Sequence, residues 1–331
     1  MPYRFGCTPE IVRARQAVER ARVKSTHFST RIEGNRLTLA EAEQVEPGEI
    51  SLNTIELPLT NLYYATCGQG PPLVIVPATI SRVRDWQPLI RFVGQKFTTH
   101  FFELPGHGGS SPFPQPFSSK LVGQTVEDFI NALHYDSITL MGFSFGGILT
   151  LRVLNQIQPR INKLVLLSPC VSRYTLLYSP ARLAFLRAFV KIMLRPSSQA
   201  FFLRMMHTEA LVDYVLLMLR RLGHVEIYGD ELRNTLLSLP GSTLEVLTYQ
   251  INEILNADPI AEVNECETPC VFGMSRLDPL LSFEMTKKFL LEKFNNIWVE
   301  SFDMPYHQPP EPLTFDGLNR EYGKLLEKFA G

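Results

Sequence analysis

The chain has 331 residues, which suits two domains or one large α/β domain with insertions. Its 32 Lys and Arg residues nearly balance its 33 Asp and Glu residues, and the net charge of −1 argues against a nucleic-acid partner. The five cysteines are scattered and odd in number, which disfavours both a disulfide framework and a zinc site. No apolar run reaches the ~18 residues of a membrane span, and the first residues lack the apolar core of a signal peptide, so we expect a cytoplasmic protein.

The first 47 residues are polar, rich in Arg and Glu, and predicted to be helical. Thr8-Pro9-Glu10 is typical of a helix start, with proline at the first helical position and an acid in the first turn. A second helix is predicted to begin at Thr38-Leu39-Ala40-Glu41, which fits a capping box, and to stop at Pro47-Gly48. We therefore expect an N-terminal helical arm over residues 1–47.

From residue 50 onward, short apolar runs alternate with segments of helical spacing. The predicted strands are Ile50–Leu57, Asn61–Thr66, Leu73–Val76, Thr98–Glu103, Ser137–Met141, Lys163–Leu167, Cys270–Met274 and Ile297–Phe302. The predicted helices between and after them are Trp86–Val93, Lys120–Leu133, Ile148–Ile157, Phe283–Leu291 and Phe315–Phe329. Such alternation predicts an α/β fold with a mostly parallel eight-stranded sheet covered by helices on both faces.

One long segment interrupts this alternation. Residues 171–265 lack strand signals and are dense in Leu, Phe, Met, Tyr and Arg, with amphipathic helices predicted at Ala184–Leu194 and Glu209–Leu222. Because the α/β pattern resumes afterwards, we interpret this segment as an inserted helical subdomain. The predicted core then comprises residues 48–170 and 266–331.

The sequence Gly142-Phe143-Ser144-Phe145-Gly146-Gly147 stands between a predicted strand and a predicted helix. In that context G-x-S-x-G predicts a nucleophile elbow, a tight turn that holds the serine above the sheet edge. The backbone N–H of Phe145, at the start of the helix, is then placed to face a developing oxyanion.

A serine hydroxyl needs a base, and the base needs an orienting acid. Among the seven histidines, only His307 follows the last predicted strand, in a loop that returns to the carboxyl edge of the sheet. Asp278 follows the strand Cys270–Met274 at the same edge, and Asp303 is a reserve candidate only four residues from His307. The order Ser144, Asp278, His307 is that of α/β-hydrolases.

With these residues in place, residues 50–331 resemble an α/β-hydrolase of the capped esterase/lipase type. Gly70-Pro71-Pro72-Leu73-Val74-Ile75-Val76 is similar to the entry into the family's third strand, and Leu104-Pro105-Gly106-His107-Gly108-Gly109-Ser110 resembles the loop after its fourth strand. The resemblance implies that Ser144 is the nucleophile, His307 the base and Asp278 the acid, with no metal or organic cofactor. It also implies that the second oxyanion N–H comes from Thr79, and that His107 belongs to a packing loop.

Three positions depart from the family's usual pattern. The family carries His-Gly after its third strand, where this chain has Pro77-Ala78-Thr79; Ser275 and Tyr306 stand where glycines usually precede the acid and the histidine. None of these changes removes a catalytic group. A serine at the elbow, in place of an aspartate, argues against haloalkane dehalogenase and epoxide hydrolase chemistry.

A second resemblance covers only the N-terminus. Ser29-Thr30-Arg31-Ile32-Glu33-Gly34 looks like the inhibitory segment of Fic-family AMP-transferases. Their catalytic motif H-P-F-x-x-G-N-G-R is absent from this sequence, so no AMP transfer is implied. We interpret the segment as a remnant within an exposed helical arm.

The resulting hypothesis is a serine hydrolase of a carboxylic ester or related acyl compound, a small molecule with an apolar acyl or aromatic group held under the helical cap. One alternative is a C–C bond hydrolase of a diketone-like acid, which would need a cap arginine for the carboxylate; the candidates are Arg173, Arg182, Arg187 and Arg204. The other is a non-catalytic ligand-binding module on the same fold. The oligomeric state stays open.

Overall fold

The computed structural model describes residues 48–79, 82–221, 233, 237–307 and 314–331. The predicted helical arm of residues 1–47, with its Fic-like segment, lies outside the described residues.

One sheet organises the described part of the chain and confirms the predicted fold class. Its order is β1-β2-β4-β3-β5-β6-β7-β8. The pairs β1–β2 and β2–β4 are antiparallel, and every other neighbouring pair is parallel. The eight strands are β1 Ser51–Leu57, β2 Thr60–Cys67, β3 Pro72–Val76, β4 Thr98–Phe102, β5 Ile138–Phe143, β6 Ile161–Leu167, β7 Cys270–Ser275 and β8 Ile297–Phe302.

Helices follow most of the parallel strands. The described helices of the core are α1 Gln87–Gly94, α2 Ser119–Ala132, α3 Gly146–Ile157, α9 Phe283–Leu291 and α10 Phe315–Ala330. Those between β6 and β7 are α4 Pro180–Met193, α5 Pro196–Met206, α6 Glu209–Arg221, α7 Gly241–Asn256 and the single turn α8 Pro259–Glu262.

Alternation along the strands divides the core into two layers, because successive strand side chains point to opposite faces. On β5, Leu140 packs with helices α2 and α3, while its neighbour Met141 packs with α1 and α10. Both residues are almost fully buried. Helices on both faces explain why the central strands are apolar throughout, as parallel strands in such folds are.

The helices between β6 and β7 all lie within the predicted insertion of residues 171–265. The sequence predicted only two of them, at Ala184–Leu194 and Glu209–Leu222. Helix α7 was missed because several of its buried positions are polar, namely Thr243, Thr248 and Gln250, which weakens the apolar period that reveals a helix. It packs against α4 and α5. The division of the chain into domains stays a prediction.

A hydrogen bond also joins helix α7 to the loop after β4. The Gln250 side-chain amide donates to Nε2 of His107 over 2.9 Å, and both side chains are buried. This contact fixes the insertion to the loop after β4, which agrees with a packing role for His107.

No helix in the ranges that the structure describes combines the length and the apolarity that crossing a bilayer demands. The cytoplasmic location stays a prediction.

Two buried histidines should make stability depend on pH. Burial lowers the pKa of both His100 and His107 from the ordinary 6.5 to about 4. Between these values the unfolded chain binds protons that the folded protein excludes, so the free energy of unfolding is expected to fall as the pH drops. The expected loss is about 2 kcal/mol per histidine between pH 7 and pH 5.

Urea unfolding at the two pH values tests this prediction. The His107→Gln variant should lose about one histidine's share of the pH dependence, whatever its absolute stability. His134, which is exposed and has a φ of 58°, offers the control His134→Asn, which should keep the wild-type dependence. An unchanged slope in His107→Gln would contradict a buried, neutral His107.

Candidate active site

Ser144 sits on a strained turn between β5 and α3. Its φ is 52°, in the left-handed region that non-glycine residues rarely adopt. The Ser144 N–H donates to the Leu167 carbonyl over 3.2 Å, and the Ser144 carbonyl accepts from the Cys170 N–H over 2.9 Å. The end of β6 and the loop after it therefore hold the strained residue in place, as a functional turn requires.

The glycines of the motif are dictated by close approach. A side-chain carbon on Gly142 would lie 2.1 Å from Oγ1 of Thr150, and one on Gly146 would lie 2.5 Å from the Val76 carbonyl oxygen. Neither position has room for a larger residue. The second contact also places the start of α3 against the end of β3.

Three predicted site residues, from three distant parts of the chain, form one hydrogen-bonded series. The Ser144 hydroxyl donates to Nε2 of His307 over 2.9 Å. Nδ1–H of His307 donates to Oδ2 of Asp278 over 2.6 Å. Because an ionised carboxylate only accepts, Asp278 keeps the ring proton on Nδ1 and leaves Nε2 free to take the serine proton.

The carboxyl group of Asp278 is held as a buried anion. Its other oxygen, Oδ1, accepts from the N–H groups of Leu280 and Leu281 over 2.8 and 3.0 Å. Burial by itself raises the pKa of Asp278, but the hydrogen bond and charge of His307 and the two amides outweigh it and hold that pKa below its ordinary value.

Asp303, the reserve acid, lies elsewhere. Its carboxylate takes two hydrogen bonds from the guanidinium of Arg276, at 2.9 and 2.6 Å, on the exposed surface. The structure therefore brings Asp278, and not Asp303, to His307.

Ser275 links the loop of the acid to the loop of the histidine, a contact that sequence analysis missed. Its hydroxyl donates to the Met304 carbonyl over 2.6 Å and accepts from the N–H groups of Met304 and Leu277 over 3.0 and 3.1 Å. A serine in the family's usual glycine position therefore connects the ends of β7 and β8. Its position directly after the predicted strand Cys270–Met274 was the signal available in the sequence.

The two predicted oxyanion donors lie on two segments that pack together, the start of α3 and the loop after β3. Among the described residues, the Phe145 N–H has no hydrogen-bond acceptor, and it opens α3, where a helix N-terminus favours negative charge. Thr79 follows Pro77 and Ala78 after the end of β3, the strand against which Gly146 packs, and is half-buried. Their role as donors is a proposal.

Aromatic rings adjoin the histidine. The ring centroid of Phe143 lies 5.7 Å from that of His307, and the ring of Trp86 lies 5.8 Å from that of Phe143. These rings give the site an apolar side.

Three of the four candidate arginines of the insertion have other partners. Arg173 donates to the Asn256 carbonyl and Arg187 to the Leu255 carbonyl, so both satisfy the carbonyl end of α7. The guanidinium of Arg182 lies over the Tyr178 ring, and Arg204 is exposed. None of the four is seen to contact Ser144, His307 or Asp278.

Metal ligands are not gathered anywhere in the parts of the chain that the structure describes, where no three His, Cys, Asp or Glu residues form a cluster. The described cysteines, Cys67, Cys170, Cys266 and Cys270, are buried free thiols.

A family model described as the alpha/beta hydrolase family matches residues 73–289, which is more than half of the chain. The chain belongs to that family. The matched range includes the elbow and Asp278, and His307 lies beyond its end.

Individual relatives match shorter stretches. A pimeloyl-(acyl-carrier protein) methyl ester esterase of Nitrosospira multiformis is 29% identical over 111 residues, 33% of this chain and 42% of the esterase. An N-formylmaleamate deformylase of Pseudomonas putida is 30% identical over 129 residues, 39% of this chain and 47% of the deformylase. The chain thus spans less than half the length of these curated relatives. An enol-lactonase from Burkholderia xenovorans shares the fold, with a TM-score of 0.57 and 15% identity, covering 84% of this chain and 97% of the lactonase.

Proposed function

We propose that this member of the alpha/beta hydrolase family is a serine hydrolase that cleaves a carboxylic ester or a related acyl compound. The observation that carries the proposal is the hydrogen-bonded series Ser144–His307–Asp278, on a turn that holds Ser144 at a strained φ. A serine, an imidazole and a buried carboxylate in this order are the parts that acyl transfer requires.

The reaction follows from the protons of these groups. The Ser144 Oγ attacks the carbonyl carbon of the ester while Nε2 of His307 takes its proton, and Asp278 stabilises the resulting imidazolium. The carbonyl oxygen becomes an oxyanion that accepts hydrogen bonds from the N–H groups of Phe145 and Thr79. His307 then returns its proton to the leaving alcohol, and an acyl-enzyme on Ser144 remains.

A water molecule completes the cycle. His307 takes a proton from the water as it attacks the acyl carbonyl, and then gives that proton to Ser144 as the carboxylic acid leaves. The steps need no metal or organic cofactor. Two of the similar proteins, the methyl ester esterase and the enol-lactonase, are named for cleaving an ester and a lactone, which supports this bond type.

The substrate is proposed to be a small molecule with an apolar acyl or aromatic group. The ring of Phe143 lies beside His307 and that of Trp86 beside Phe143, and α7 of the insertion is fixed to the loop after β4. An apolar group in such a place gains from leaving water.

C–C bond hydrolysis of a diketone-like acid is the second candidate, since it can use the same three groups. It would need a cation for the carboxylate, and three of the four candidate arginines are engaged by α7 carbonyls or by a tyrosine ring. Ester hydrolysis is therefore the better-supported activity. A non-catalytic module would have no use for the strained Ser144 and its aligned base.

A series of p-nitrophenyl esters of rising acyl length tests the activity and the apolar group together. We expect kcat/KM to rise from acetate toward a mid-chain ester by up to about fourfold per methylene, which is the effect of ~0.8 kcal/mol of apolar burial. The Ser144→Ala protein, assayed on each ester, gives the background rate.

Two outcomes would contradict different parts of the proposal. Turnover that falls steadily from acetate upward would mean that no apolar acyl group is accommodated. No turnover of any ester above the Ser144→Ala background would refute the esterase activity itself.

A further inference from the structure

Helix α4 is apolar on a buried face and also on an exposed face. Val190 and Met193 are buried on its inner face. Three large apolar side chains stand on its outer face, with exposed fractions of 69% for Phe185, 45% for Phe189 and 52% for Ile192. Spacings of four and three residues place these three side chains on one stripe. A helix that is apolar on both sides ordinarily has an apolar partner on each side.

The neighbouring helix carries a further exposed aromatic side chain. Helix α5 contacts α4, and its Phe201 is 65% exposed. We call Phe185, Phe189, Ile192 and Phe201, with the exposed cations Arg182 and Lys191 of α4, the insertion surface.

The stretch of sequence that carries the insertion surface has charges of one sign only. Between residues 173 and 207 there are six cationic side chains and no Asp or Glu, which gives a formal charge of +6 in a chain whose net charge is −1. The six are Arg173, Arg182, Arg187, Lys191, Arg195 and Arg204. A chain with 33 acidic residues has placed none of them in this stretch.

We propose that the insertion surface docks on an anionic lipid membrane. Exposed phenylalanines and an isoleucine on a cationic helix pair are the composition of helices that lie in the plane of a bilayer, with apolar groups in the acyl boundary and cations at lipid phosphates. The docked protein stays peripheral, because the contact is made by side chains of helices that lie along the surface.

Charge decides between a membrane and a second copy of this chain. A two-fold contact between two insertion surfaces would bring the exposed cations Arg182 and Lys191 of one copy against those of the other, and like charges across an interface oppose association. An anionic bilayer satisfies the apolar stripe and the cations together.

The chain just before the insertion surface contacts a loop of the candidate active site. Leu177, three residues before α4, is 53% exposed, and its N–H donates to the carbonyl of Leu280, two residues after Asp278. Docking would therefore bring the loop of Asp278 toward the lipid. The docking proposal does not depend on the reaction that the site performs.

Co-sedimentation of the full chain with vesicles tests the proposal. We expect binding to vesicles of phosphatidylcholine with one-third phosphatidylglycerol, weakened by added salt, and little binding to phosphatidylcholine alone. The Phe185→Ser/Phe189→Ser variant should bind at least about tenfold more weakly, and Arg182→Gln/Lys191→Gln about fivefold more weakly for each charge removed.

Matched controls are available on other surfaces. Leu291→Ser removes a side chain that is 51% exposed, and Arg320→Gln a cation that is 74% exposed, and both should bind vesicles like the wild type. Unchanged turnover of a water-soluble ester and unchanged circular dichroism in the four variants show that they fold. Should the serine double variant fail to fold, the charge variant alone decides.

Three results would overturn the proposal. The first is no sedimentation of the wild type with anionic vesicles. The second is binding that the variants of the insertion surface do not weaken beyond the controls. The third is a dimer, or a complex with an acidic protein that excludes vesicles, that the Phe185→Ser/Phe189→Ser change dissociates, because the surface would then belong to that partner.

Discussion

Replacing Ser144 with alanine should lower kcat for a p-nitrophenyl ester by about 10⁴- to 10⁶-fold, because the attacking oxygen is removed while the oxyanion donors remain. The same change should abolish labelling by a fluorophosphonate probe, which reacts only with an activated serine. Far-ultraviolet circular dichroism should not change, because the Ser144 hydroxyl bonds to the side chain of His307 and the backbone hydrogen bonds of the turn stay in place.

The double variant with His307→Ala sharpens this test. Residues that act as a unit lose activity once, so Ser144→Ala/His307→Ala should be scarcely slower than either single variant. Ser301→Ala, on the exposed side of β8, is the matched control and should keep wild-type turnover and labelling. Near wild-type turnover in a folded Ser144→Ala protein would refute the serine-hydrolase proposal.

Asp278→Asn should lower kcat by about 10⁴-fold. An amide in place of the carboxylate can donate to Nδ1 of His307, which moves the ring proton to Nε2 and leaves no acceptor for the Ser144 proton. Steady-state kinetics with the same ester measures the loss, and the pH dependence of kcat should change with it.

Asp303→Asn makes the same change from carboxylate to amide and is the matched control. Asp303 is an exposed partner of Arg276 and is not seen to contact His307, so its amide variant should lose far less activity than Asp278→Asn. The opposite ranking would assign the acid to Asp303 and contradict the geometry at the ends of β7 and β8.

Local patterns were sufficient for most of the fold. The apolar runs of β3 and β5 lie between prolines, glycines and helical segments, and they are buried on both faces because helices cover both faces of a parallel sheet. The elbow was equally local: Gly142 and Gly146 are required by contacts made within a few residues of Ser144 or by the adjacent strand. Chain order then pointed to His307.

The contact between His307 and one of the two candidate aspartates is seen only in the three-dimensional structure. Asp278 and Asp303 each follow a strand at the same sheet edge. The sequence favoured Asp278, because Asp303 is only four residues from His307, but it does not show the contact itself. The backbone turn at Leu280 and Leu281 aims Asp278 inward, and Arg276 holds Asp303 outward. These are contacts between separate loops, and no period in the sequence records them.

The insertion shows the same contrast between what the sequence determines and what the packing determines. Composition alone showed that residues 173–207 are cationic and apolar, because charge and hydropathy belong to the residues themselves. Burial depends on the packing: Val190 and Phe189 are neighbouring apolar residues, yet Val190 is buried and Phe189 is exposed. The sequence by itself thus determined the sheet, the elbow and the candidate base, which rest on local spacing and order. Only the tertiary structure showed which aspartate contacts His307, which partners the arginines have and which face of α4 is exposed, because each depends on which distant segment lies opposite.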